Sequence, residues 1–293
     1  MKRLAIIGPT ASGKTDLAIK IAKKMDSYIL SIDSLSIYKE INIVSAKPSK
    51  QEMRGIKHFG IDVLKPNEHF SVDTLINIYQ EVKKLCEFNN KNLIIVGGTS
   101  FYLKSLLSGL STLPIIDEEI KNRVKFKLKN LKKSYDYLVK TDPLYMSNIN
   151  SSDAYRIEKA MLIVEASGVC ASEWFKLNPP KPIIKDLDIY NIEVQRDVLR
   201  ERISKRTIQM IRLGLIDEVC LLEKKYTRFP NSMGAIGIVE VLEYVDGSAS
   251  KEEMIQNIST HTAQLAKRQD TFNRTQFKNT TSANLDELRK LLT

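Results

Sequence analysis

Short apolar runs alternate with amphipathic stretches along the first third of the chain. Strand-like runs lie at Leu4–Ile7, Tyr28–Ile32 and Leu93–Val96. Helical spacing of apolar residues follows each of them, at Lys14–Lys24, Val72–Phe88 and Ser100–Leu107. Strands that alternate with helices predict a parallel sheet covered on both faces. From about Ile116 to Lys185 the strand signal vanishes and helices dominate, ending in the turn-rich Asn178-Pro179-Pro180-Lys181-Pro182. One further strand is predicted at Ile189–Val194, followed by helices at Leu199–Ile211, Leu215–Lys225, Ile236–Val245 and Lys251–Lys267. The pattern describes an α/β core with a helical insertion. Core segments are expected at 1–115 and 188–293, and the insertion at 116–187.

Composition narrows the class. With 293 residues, 43% of them apolar and 27% charged, the chain can build a substantial core, and neither disorder nor a fibrous repeat fits. No run approaches the roughly 18 apolar residues of a membrane span, so no membrane partner is expected. The basic start Met1-Lys2-Arg3 leads through a few apolar residues into a glycine loop, which reads as a buried strand and not as a signal peptide. Cys86, Cys170 and Cys220 are too widely spaced for a zinc site or a disulfide framework. Reduced thiols and a cytoplasmic location are the expectation.

A net charge of +10 says little by itself, but its distribution says more. Between Lys121 and Lys140 there are eight basic residues and one acid, a local charge of +7. Ile120, Val124, Leu128, Leu131, Tyr135 and Leu138 recur at spacings of three and four within the same segment. An amphipathic helical segment with one buried stripe follows. A solvated face normally mixes both signs, so the single sign favours a polyanion partner over that alternative.

Gly8-Pro9-Thr10-Ala11-Ser12-Gly13-Lys14-Thr15 is a complete G-x-x-x-x-G-K-T, directly after a strand and directly before a helix. Its backbone N–H groups and the helix N-terminus favour an anion, Lys14 adds a point charge, and the Thr15 hydroxyl suits Mg²⁺. The core is therefore expected to resemble the P-loop NTPases. The loop does not choose the phosphate compound, and ATP or GTP is its ordinary occupant. Two other strand ends share the rim. Ser31-Ile32-Asp33-Ser34 places a carboxylate there, and Val96-Gly97-Gly98-Thr99 places a small hydroxyl. Taken alone, a strand-end aspartate is more often a cap or a ligand to metal-bound water than a base.

These segments, with Tyr38, Ala46-Lys47-Pro48-Ser49, Ile61-Asp62-Val63, Tyr102, Asp153-Ala154-Tyr155-Arg156-Ile157 and Ala266-Lys267-Arg268-Gln269 with Thr271 and Arg274, occur in the order found in one family. The chain resembles the bacterial tRNA dimethylallyltransferases (isopentenyl-tRNA transferases) over nearly its whole length. The resemblance implies transfer of a prenyl group from dimethylallyl diphosphate to the exocyclic N6 amine of adenosine 37 of tRNA, beside the anticodon. The tRNAs are those that read codons beginning with U; diphosphate leaves and Mg²⁺ assists. It implies a loop, Gly8 to Thr15, that grips a prenyl diphosphate instead of ATP. Catalytic roles fall on Asp33, Thr99 and Lys14, and the metal contact on Thr15. Contacts to the tRNA anticodon stem-loop fall on Asp33, Ser34, Leu35 and Ser36, on Thr99 and Lys121, and on Tyr155, Arg156, Ile157, Glu158 and Lys159. They continue at Met233–Ile238, Lys267, Arg268, Gln269 and Arg274. A monomer is expected.

The sequence departs from the family pattern at four places. Ser100 stands for a usual Gly, Phe272 for Trp, Gly237-Ile238-Val239-Glu240 for Gly-Tyr-Lys-Glu, and His58-Phe59-Gly60 for His-His-Leu. No Cys/His zinc finger follows the tail, as in the bacterial form. Three other functions share some of these features. A small-molecule ATP-dependent kinase shares the loop and sheet but has no need of the Lys-Arg-Gln tail. A prenyltransferase acting on free AMP or ADP has little use for the +7 segment. A nucleotide-switched RNA-binding protein needs neither Asp33 nor Thr99.

Overall fold

The computed structural model describes residues 1–293. Six strands form one sheet: β1 Arg3–Ile7, β2 Ser27–Ser31, β3 His58–Phe59, β4 Asn92–Gly97, β5 Asp188–Ile192 and β6 Thr281–Ala283. Their order is β3-β2-β4-β1-β5-β6, and every pairing is parallel. The helices are α1 Lys14–Lys24, α2 Val72–Phe88, α3 Ser100–Ser108, α4 Glu118–Lys127, α5 Leu131–Thr141, α6 Pro143–Met146, α7 Ala154–Ser167, α8 Ala171–Leu177, α9 Arg196–Arg212, α10 Leu215–Tyr226, α11 Ile238–Val245, α12 Lys251–Gln276 and α13 Leu285–Leu292. None is long and apolar enough to cross a membrane.

The chain divides into two compact units, Met1–Leu106 with Ile184–Thr293, and Leu107–Ile183. In the first, the central strands are buried on both faces, as parallel strands require. Leu4, Ile6, Ile29, Ile94, Val96 and Ile192 pack with Leu17, Ile21 and Leu288 in one core. Because all strands run the same way, the loops after β1, β2 and β4 open at one edge. That edge is where Lys14, Asp33 and Thr99 follow their strands.

The second unit is all helix around Ile120, Val124, Leu138, Met146, Ile157, Met161 and Ile163. It begins at Leu107, ahead of the expected 116, because the connector packs into it. Trp174 Nε1 donates to the Thr112 carbonyl at 2.8 Å, and the Lys181 carbonyl lies against Gly109, 2.1 Å from where a Cβ would stand. Helix starts here are capped by side chains: Asp117 accepts from Ile120 N–H, Asn130 from Lys133 N–H and Asp153 from Arg156 N–H. Each such cap stabilises by about 1 kcal/mol.

Four expectations need correction. The Lys121–Lys140 segment is not one helix, since a 3₁₀ turn at Leu128–Asn130 separates α4 from α5. The last long helix does not stop at Lys267 but runs to Gln276. Strands β3 and β6 and helix α13 have only two, three and eight residues, too few to give a periodic signal. The charge of the basic segment is also not single-signed in space. Glu118 pairs with Lys121 at 2.5 Å, Glu119 with Arg123 at 2.6 Å, and Glu165 with Lys127 at 2.5 Å. All three acids lie outside Lys121–Lys140 in the sequence.

Candidate active site

Gly13 has φ 87°, a left-handed conformation that turns the loop sharply into α1. Of the loop amides, Thr10 N–H donates to Gln269 Oε1 at 2.8 Å and Ser12 N–H to the Pro9 carbonyl at 3.3 Å. Those of Ala11, Gly13, Lys14 and Thr15 have no protein partner and converge at a helix N-terminus. Such a set of free donors at a helix N-terminus is suited to an anion. Lys14 Nζ rests on the Pro9 carbonyl at 3.0 Å. Burial pulls its pKa down to about 8, opposed by the charge of Asp33 and assisted by Arg206.

Asp33 follows β2 and turns the chain back on itself. Its Oδ1 accepts from Leu35 N–H at 2.9 Å, Ser36 N–H at 3.0 Å and the Ser36 hydroxyl at 3.3 Å. Oδ2 carries no protein hydrogen bond. Thr99, after β4, accepts from Ser34 N–H at 3.3 Å, which ties the two strand ends together. Gly97 permits the approach, since a Cβ there would stand 2.6 Å from Ile32 Cγ1.

A cavity of about 450 Å³ lies at this edge, within the roughly 300–1,000 Å³ of small-molecule sites. Thr10, Lys14, Asp33 and Arg206 make its polar end, while Val44, Phe70, Met210, Ile236, Ile258 and Leu265 give apolar walls. Tyr102 packs on Phe70 with ring centroids 4.8 Å apart. Burial, with the charges of Tyr38 and Asp33, pushes the Tyr102 hydroxyl up to about 12, so it stays protonated. Burial lowers the Arg206 guanidinium, and Asp33 opposes that shift.

Of the residues expected to act, the structure therefore gathers Thr10, Lys14, Asp33, Ser34, Leu35 and Gln269 around one cavity. Thr99 joins them through Ser34. Within Met233–Ile238, Gly234, Ala235 and Ile236 also line it. Lys267, Arg268 and Arg274 lie exposed on α12, Arg274 paired with Asp270 at 2.7 Å. In the helical unit Tyr155 and Glu158 are exposed, Arg156 pairs with Asp153, and Lys159 lies 5.6 Å from the centre of the Tyr155 ring. Ile157 is a correction. It is wholly buried in that unit's core, so its side chain is unavailable to any surface partner.

Arg206 was missed. Its signal was present: Ile203, Arg206, Thr207 and Met210 form one helical stripe, and a charged residue within a buried stripe marks a cavity wall.

A family model described as IPP transferase matches residues 36–276. The chain belongs to the IPP transferase family. Within that family it is similar to the tRNA dimethylallyltransferase of Sulfurimonas denitrificans, 64% identical over 100% of this chain and 98% of the relative. The enzyme of the same name from Wolinella succinogenes is 50% identical, over 94% of this chain and 93% of its own. Among solved structures, a tRNA isopentenylpyrophosphate transferase from Staphylococcus epidermidis is 32% identical, with a TM-score of 0.70 over 100% of this chain and 99% of that one. A eukaryotic dimethylallyltransferase acting on tRNA shares the fold, with a TM-score of 0.86 at 23% identity over 98% of this chain and 75% of that one.

Proposed function

We propose that the chain transfers a dimethylallyl group from dimethylallyl diphosphate to N6 of adenosine 37 in tRNAs that read codons beginning with U. The observation that carries this reading is one cavity with an anion-binding end, apolar walls, and the free Oδ2 of Asp33 among them. A prenyl diphosphate has that same division, a polar head and a branched apolar tail. The loop amides, Lys14 and Arg206 hold the diphosphate and stabilise the charge it gains on leaving. The adenine amine is a weak nucleophile because its lone pair is delocalised into the ring. Asp33 Oδ2 accepts its hydrogen bond, aims it, and takes the proton as the new N–C bond forms and the C–O bond to diphosphate breaks. Thr99, fixed to Ser34, helps to place the amine. The target base must leave its stack to enter such a cavity. The exposed cations of α12 and of the helical unit are the candidates for gripping the anticodon stem-loop.

Mg²⁺ fits the donor set. No group of three or more His, Cys, Asp or Glu side chains is placed to hold a metal, but Mg²⁺ is commonly held by few protein oxygens together with phosphates and water. Thr15, in the first turn of α1, is the residue that would touch it. When bound, Mg²⁺ supplies neutralising charge to the diphosphate. We take the protein to act as a cytoplasmic monomer.

The test is incubation of the purified protein with unmodified tRNA, dimethylallyl diphosphate and Mg²⁺, followed by nucleoside mass analysis. One dimethylallyl unit on the adenosine beside the anticodon is expected. Unmodified tRNA, or stoichiometric ATP hydrolysis coupled to turnover, overturns the reading.

A further inference from the structure

Resemblance placed Gln269 among the RNA contacts, but its side chain points elsewhere. Ile258, Thr262, Leu265 and Gln269 lie at helical spacing on the cavity side of α12. Gln269 Oε1 accepts the Thr10 N–H at 2.8 Å, the first interior amide of the phosphate loop. Its Nε2 lies 2.6 Å from where a Cβ of Gly98 would stand, and the next atoms from that point, at 3.4 and 3.6 Å, also belong to Gln269. Gly98 is not in a left-handed conformation, so nothing in its own backbone demands glycine. One turn further along α12, buried Asn273 donates from Nδ2 to Asn191 Oδ1 on β5 at 3.0 Å, and Asn191 Nδ2 donates to Ser282 Oγ on β6 at 3.3 Å. This second attachment fixes the rotation of α12 about its axis, so Gln269 must face the loop.

We propose that Gln269 is a positioning residue of the phosphate loop, and that Gly98 lacks a side chain in order to admit it. The proposal rests on the reading of the loop as a diphosphate site. An anion loop binds well when its free amides are already aimed and no ordering cost remains for the ligand to offset. Gln269 anchors the loop at Thr10 and leaves the amides of Ala11, Gly13, Lys14 and Thr15 to the anion. Being neutral, it fixes the backbone without bringing negative charge to a site that receives a multiply charged ligand. A glutamate would accept the same bond and repel the diphosphate.

Calorimetric titration with inorganic diphosphate and Mg²⁺ tests the proposal, beside titration with an anticodon stem-loop. Gln269→Met keeps the bulk and removes the acceptor. It should weaken diphosphate binding roughly three- to tenfold, the worth of one hydrogen bond, and leave stem-loop affinity within about twofold. Gly98→Ala should weaken diphosphate binding to a similar degree by displacing Gln269. Adding Gly98→Ala to Gln269→Ala should cause little further loss, because the obstructing side chain has gone, and that non-additivity is the mark of a direct pair. Amide exchange in Gln269→Met should show Thr10 deprotected while the sheet stays protected, which separates loop release from global unfolding. Unchanged diphosphate affinity with weakened stem-loop binding makes Gln269 an RNA contact and overturns the proposal. Additive losses in the double variant overturn the role of Gly98. Lys14→Ala is the control: if diphosphate binding survives it, the functional reading of the loop fails, and this proposal with it.

Discussion

Two backbone turns flank Tyr38, and each wraps a carboxylate in consecutive amide N–H groups. In the first, Asp33 receives Leu35 and Ser36 on Oδ1 alone. In the second, Glu218 reaches over from α10 and takes Asn42, Ile43 and Val44 at 2.9 to 3.0 Å, using both Oε1 and Oε2. The device is the same and the outcome is opposite. Glu218 has no oxygen left over and serves as a strut. It fastens the wall that bears Val44 and Ser45 to α10, helped by Glu40, which holds Lys225 at 2.8 Å and Tyr226 at 2.7 Å on the same helix. Asp33 is held as firmly on one side and keeps its other oxygen free of any protein partner, as the proposed role of base requires. What separates the proposed base from the strut is the number of acceptor sites left unfilled.

The sharpest way to break this contrast is Asp33→Asn. The amide oxygen can still serve the turn, while NH₂ replaces the free oxygen. Single-turnover prenyl transfer should fall about 10²- to 10⁴-fold, with the melting temperature unchanged within about 2 °C. Retention of more than a third of the wild-type rate would remove Asp33 as the base. Glu218→Ala should give the opposite profile. Three amides lose their acceptor, at a cost of about 1–3 kcal/mol, so thermal stability should drop and KM for the prenyl donor should rise several-fold while kcat changes little. A kcat loss as large as that of Asp33→Asn would erase the distinction. Thr15→Ala should mainly raise the Mg²⁺ concentration needed for half-maximal turnover, and an unchanged requirement would place the ion elsewhere.

The same test of filled and unfilled partners applies to the helical unit, with smaller effects. Lys127 and Arg123 are held by Glu165, whereas Lys125 and Lys129 are exposed and make no ion pair. Replacing Lys125 and Lys129 by Gln should reduce the slope of log affinity for the stem-loop against log salt by about 0.7–0.9 for each residue engaged. Lys127→Gln should leave that slope alone. Equal slopes in all variants would assign the face to solvent.

The legible parts of the sequence were those whose causes are local. The loop Gly8 to Thr15 carries its own turn chemistry, and the unbroken apolar runs of β1 and β4 declare burial on both faces. What stayed hidden depends on distant partners. The last turns of α12 have polar Gln269 and Asn273 where apolar residues would continue the stripe. They belong to the inner face only because Thr10 and Asn191 meet them there. Arg206 shows in the sequence as a charge within a buried stripe, but what that stripe faces depends on the distant elements that wall the cavity. The charge of the basic segment was overread because Glu165, which neutralises part of it, lies on another helix.

The central strand β1 pairs with β4 on one side and with β5 on the other, and β5 is made only after the whole helical unit. On the ribosome, then, the phosphate loop emerges first and waits longest. Its flanking strand lacks one neighbour until residue 188 is out, and Thr10 lacks its partner until residue 269 is out. The helical unit, by contrast, draws its core from one contiguous stretch and can gather it earlier in synthesis. Such long-range closure is slow and leaves apolar strand faces open to wrong partners. The final helix α13 completes the cover by burying Leu288 against the sheet core. A chain cut short before Asn284 would lose a piece of its interior, and the oldest part of the molecule would be the one left exposed.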